Sequence, residues 1–185
     1  MTLIKEYNLI ENKKAIFWLN IANIPLFIFF LILFIMYTYI FLENKDYSFS
    51  LNNGSFIGFI LFFLLYFLLI VFHELIHGLF FKVFKKDRKV KFGFKNGFAY
   101  ATSPHSFYSK GKFIWICLAP FTFITLILLS AVSLGFIPVN LFVNMASLHD
   151  AACVGDFYWV FLLSRHPGNI IVEDTEQGMT VYLDN

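Results

Sequence analysis

The chain has 185 residues, 59% hydrophobic and 21% aromatic, and only 14% charged. An average globular protein is about 25% charged. A chain this short also has too much surface to cover with so few charges, which excludes a soluble enzyme, a disordered protein and a nucleic-acid binder. The net charge of +2 is small, but the charges are clustered rather than spread.

Four apolar runs organise the sequence, at 15–42, 56–81, 113–137 and 139–163. Each exceeds the ~20 residues that carry a helix across a hydrocarbon core. The first is too long for a signal-peptide core and no small-residue cleavage site follows it, so it reads as a span. Asn20, Asn23 and Pro25 near its start predict a late or kinked helix beginning. The fourth run is the least apolar, with Asn140, Asn144, Ser147, His149, Asp150 and Asp156 inside it. The expected class is an all-α membrane protein of four transmembrane helices with a small cytoplasmic β-hairpin. In this division 1–14 is a tail, 15–165 the membrane domain and 166–185 a second tail. Cys117 and Cys153 lie in apolar stretches without a CxxC pattern and read as buried thiols.

Between the second and third runs, the segment 82–112 carries Lys82, Lys85, Lys86, Arg88, Lys89 and four further lysines against the single acid Asp87. The N-terminal tail adds Lys5, Lys13 and Lys14, whereas 43–55 has only Lys45. The positive-inside rule then puts the N-terminus and the basic loop in the cytoplasm, and four spans return the C-terminus there. The basic loop is a topology signal beside anionic lipid rather than a nucleic-acid surface. Within the loop, Asn96-Gly97 between two alternating runs predicts a β-hairpin over 92–101. Its edge strand could receive an extended peptide, or the hairpin could simply cover the mouth of a site. A second strand pair is expected in the tail, Ile170 to Glu173 and Met179 to Leu183.

Ionisable groups inside the runs are costly and point to function. The first and third runs have none, the second has His73, Glu74 and His77, and the fourth has His149, Asp150 and Asp156. His73-Glu74-Leu75-Ile76-His77 is an HExxH pattern. Spacing i, i+4 places both imidazoles on one helix face, where they can share a zinc ion, while Glu74 can act as general base without ligating it. A catalytic zinc needs a third protein ligand. Asp156 and the two histidines lie at similar depth, roughly 7–13 Å from the cytoplasmic end of their helices at 1.5 Å per residue. His149 is about 10 Å deeper than Asp156 on an intact helix. Gly155 could relax that restriction, so both remain candidates and depth favours Asp156. His105 and His166 read as solvated.

These motifs together carry a resemblance. HELIHG at 73–78, FKNGFAYATSP at 94–104, SFYSK at 106–110, LAPF at 118–121, CVGDFYW at 153–159 and IVEDTEQGM at 171–179 resemble the bacterial family of putative membrane zincin peptidases. The logic is similar to that of site-2 proteases, though with Gly155-Asp156 in place of their Asp-Gly pair and without an NPDG-like segment. The resemblance implies His73, His77 and Asp156 as zinc ligands and Glu74 as catalyst. The expected function is a zinc-dependent, membrane-embedded peptidase of the bacterial plasma membrane, hydrolysing a peptide or membrane-protein substrate near the cytoplasmic face. The alternative is a metal transporter or sensor, which should line a polar path across the whole membrane; here the outer halves of the runs are nearly free of such groups.

Overall fold

The computed structural model describes residues 1–9, 11–42, 56–95, 98–175 and 178–184. The connection 43–55 and the expected Asn96-Gly97 turn lie outside them. In chain order the elements are β1 (Thr2–Asn8), α1 (Lys13–Phe41), α2 (Phe56–Phe84), β2 (Lys91–Lys95), β3 (Phe98–Thr102), β4 (Ser106–Ser109), α3 (Lys110–Ser133), α4 (Val139–Ala152), α5 (Val154–Ser164), β5 (Ile170–Thr175) and β6 (Gly178–Leu183).

Among the described residues three helices, α1, α2 and α3, are long and apolar enough to cross a membrane. Their surfaces carry large exposed apolar side chains such as Phe29 and Ile32 on α1, Phe59 and Phe67 on α2, and Leu126 on α3. Apolar surface on this scale is stable only against lipid or another apolar partner. The helix α1 does not start late. Asn12 accepts a hydrogen bond from the Ala15 N–H (3.0 Å) and caps the first turn, so the helix runs from Lys13 through Pro25.

The fourth expected span is not one helix. Residues 139–163 divide between α4 and α5, of 14 and 11 residues. The break falls at Cys153, whose ψ of 6° leaves the helical range near −42°. There the thiol donates to the His149 carbonyl (3.3 Å), which also accepts the Cys153 N–H (3.2 Å). Nor is the chain all-α. It carries a four-stranded antiparallel sheet in the order β1-β6-β5-β4 and a two-stranded hairpin, β2-β3. Both expected tails are therefore sheet strands, paired Thr2 with Leu183 through Asn8 with Gly178. Both cysteines are buried free thiols, as expected.

Contacts divide the chain into two units. The first comprises Met1–Ile21, His73–Pro120 and Gly155–Asn185. Its core is Phe81 of α2, Tyr108 of β4, Phe113, Ile116 and Cys117 of α3, Leu163 of α5, and Ile170, Val172, Met179 and Val181 of the sheet. Along β5 burial alternates residue by residue, the period-two pattern of a strand with one face on a core. The second unit comprises Ala22–Phe72 and Phe121–Val154. Its interior is aromatic, with Phe34 and Phe142 edge to face at 5.2 Å. It also holds a polar group: the Thr125 hydroxyl donates to Asp150 Oδ1 (2.8 Å), and His149 Nδ1 lies 2.9 Å from the same oxygen.

Candidate metal centre

The helical rise puts His73 and His77 one turn apart on α2, and their Nε2 atoms are 3.1 Å from each other. Asp156, in the first turn of α5, completes the group: Oδ2 is 3.4 Å from His73 Nε2 and Oδ1 is 3.3 Å from His77 Nε2. Two imidazole nitrogens and a carboxylate thus converge with all donor atoms within 4.8 Å of one another, a set that could hold one metal ion. The tautomer of His77 suits this. Its Nδ1–H donates to the Ile116 carbonyl (2.9 Å), which leaves the Nε2 lone pair for a metal. Three such donors with one position left over is the pattern of a catalytic zinc site. The donor set therefore fits zinc.

Glu74 is half-buried beside this group, within electrostatic reach of His73, His77 and Asp156. The backbone N–H of Ala101 in β3 is among the groups that favour its charged form. The hairpin is seated on α2 next to the histidines. The end of the Phe92 ring of β2 fills the space where a Cβ at Gly78 would stand, so the glycine after His77 makes room for the hairpin. Phe92 is in turn paired across the hairpin with Ala101.

The far end of β3 is held by a buried carboxylate that sequence reasoning did not single out. Asp174 Oδ2 accepts from the Thr102 hydroxyl (2.6 Å) and from the Ser103 N–H (2.5 Å). Ser103 Oγ lies 2.8 Å from Ser106 Oγ. Burial raises the Asp174 pKa to about 7, against the lowering effect of those two hydrogen bonds. The signal was present in IVEDT, where Asp174 falls on the inward phase of the alternation while Glu173 falls on the outward one.

His105 and His166 lie outside this group. His105 is exposed, 3.4 Å from Glu173. His166 is partly buried against the Tyr7 hydroxyl (2.9 Å), and desolvation lowers its pKa. His149 is buried with Asp150 in the second unit.

The chain thus combines a helix-borne HExxH motif and a carboxylate from a later helix, a set that could hold a metal, with helices long and apolar enough to cross a membrane. The comparison with known families agrees: residues 63–171 match the putative zincin peptidase family, and the chain belongs to it. No curated protein and no solved structure matches the chain.

Proposed function

We propose that this chain is a zinc-dependent peptidase embedded in the membrane, with His73, His77 and Asp156 as ligands and Glu74 as the general base. The observation that carries this is the convergence of the three donors beside Glu74. Bound zinc would supply a Lewis acid for the scissile carbonyl and a lowered pKa for the attacking water. Glu74 takes the proton of that water as its oxygen bonds to the carbonyl carbon. It then gives the proton to the amide nitrogen as the C–N bond breaks. The Ala101 N–H keeps the carboxylate aimed during both transfers.

The hairpin suits an extended substrate. Ala101 points its N–H away from β2, so by strand alternation Ala99 presents its backbone groups on the same outer edge. A peptide added to that edge gains main-chain hydrogen bonds beside Glu74. A cytoplasmic site is favoured by the basic loop 82–112 around the hairpin and by the pairing of β1 with β6, which brings both ends of the described chain to one sheet. In this topology α4 and α5 together make the fourth crossing, in the bacterial plasma membrane.

One feature favours the alternative, a metal transporter or sensor. Asp150 is fully buried, and its Oδ2 lacks a hydrogen-bond partner among the described residues, which would suit ion or proton passage. The deciding experiment is metal analysis of purified protein and its variants, paired with peptide cleavage and with zinc flux in proteoliposomes. Asp156→Ala is expected to be largely metal-free and inactive, and His149→Ala to retain zinc. Flux without cleavage would replace the peptidase reading with the transporter.

A further inference from the structure

A two-stranded hairpin is marginally stable in isolation, so whatever holds β3 beside Glu74 matters to the site. The sheet strand β5 is fixed on both sides: Asp174 is in register with Ser106 of β4 and with Met179 of β6. From this frame its buried carboxylate reaches out to the hairpin and bonds the end of β3. Asp174, Thr102 and Ser103 are all almost fully buried. Burying a carboxylate is costly, and an apolar residue would pack there at less expense in stability. One oxygen of this carboxylate accepts both a hydroxyl and a backbone N–H, so a single side chain ties two successive residues at the end of β3.

We propose that Asp174 is a positioning residue, which fixes the end of β3 through Thr102 and Ser103 so that the Ala101 N–H holds the Glu74 carboxylate. Ser103 is two residues from Ala101, a reach of roughly 7 Å of extended backbone with little slack. Loss of the anchor lets the strand shift, and a misplacement of ~1 Å near the chemistry can cost about 100-fold in rate. The catalytic meaning of this role rests on the peptidase reading; the anchoring does not.

The test follows backbone hydrogen exchange of the full, metal-free chain in detergent micelles. Asp174→Ala is expected to speed exchange in 98–104 at least ~10-fold while 113–120 in α3 stays protected. Asp174→Asn should lie between, because its Oδ1 can still accept from Ser103 and Thr102. Unchanged exchange in 98–104 overturns the proposal. If Asp174→Ala loosens 113–120 as well, the decision passes to Thr102→Val, which removes one bond and leaves the carboxylate. That variant should still speed exchange in 98–104, and no change there overturns the anchor. In a cleavage assay Asp174→Ala should lower kcat about 10- to 100-fold at unchanged zinc content, with partial recovery in Asp174→Asn. A loosened strand with undiminished kcat refutes the positioning role. If the unaltered protein cleaves no peptide, the peptidase reading fails, and exchange alone still decides whether Asp174 anchors β3.

Discussion

Glu74→Gln separates proton transfer from metal binding. Glutamine has the size of glutamate and keeps a side-chain oxygen for the Ala101 N–H, so the side chain stays where β3 holds it. What it loses is the capacity to take a proton from water. General-base catalysis contributes about 10²–10⁴-fold, so kcat should fall by that factor, which is roughly 3–5 kcal/mol on the barrier. Zinc should remain, because His73, His77 and Asp156 converge without help from Glu74, and His77 is oriented by the Ile116 carbonyl. The assay is elemental analysis of the purified variant, with single-turnover cleavage of a peptide in micelles. Loss of zinc together with activity would make Glu74 a ligand and undo the role assigned to it. Activity within about 10-fold of the unaltered chain would mean that another group takes the proton.

Three further outcomes are expected. Gly78→Ala should push Phe92 out of its seat and destabilise the first unit by about 1–3 kcal/mol in thermal unfolding, and Phe92→Leu in the same chain should recover most of that; a neutral Gly78→Ala would mean the ring swings aside freely. Asp174, raised to about 7 by burial, binds its proton more tightly folded than unfolded, so its stabilising contribution is complete below about pH 4 and is lost as pH rises through about 7. Asp174→Asn should accordingly flatten a fall in stability of up to about 4 kcal/mol across that window, seen by denaturant titration at several pH values. Finally, a cysteine at Lys89 should be labelled only from the cytoplasmic side and one at Phe136, exposed between α3 and α4, only from outside; the reverse would overturn the orientation.

The chemistry-bearing helix was legible because its signal is local. HExxH needs only the helical period, and the Asn96-Gly97 pair needs only turn chemistry to announce the hairpin. Asp156 was accessible from depth along the helices, and the structure does bring it to the two histidines. Of the four-stranded sheet, the β5–β6 pair was expected from the tail sequence and the other two strands were not. β1 is exposed along most of its length, so it lacks the alternation that marks a strand, and its partner β6 lies at the far end of the sequence. The division of the fourth run falls at Cys153, in a backbone ψ of 6° that hydropathy does not register. Ile116 escaped because its contribution is a main-chain oxygen, which any residue carries. Asp174 escaped because its inward phase becomes meaningful only once the strand has a face.

The pairing of β1 with β6 also sets an order of events during synthesis. β1 must wait for β6, which is made after α1 to α5, while α1, α2 and α3 can enter the bilayer in turn as they emerge. Contacts that close such long loops form late. Asp174 on β5 arrives after every helix, and until then the hairpin has no frame to hold it. A nascent chain would therefore carry its HExxH helix through insertion with the catalytic carboxylate unaimed. On the peptidase reading, hydrolytic competence would come only with completion of the sheet.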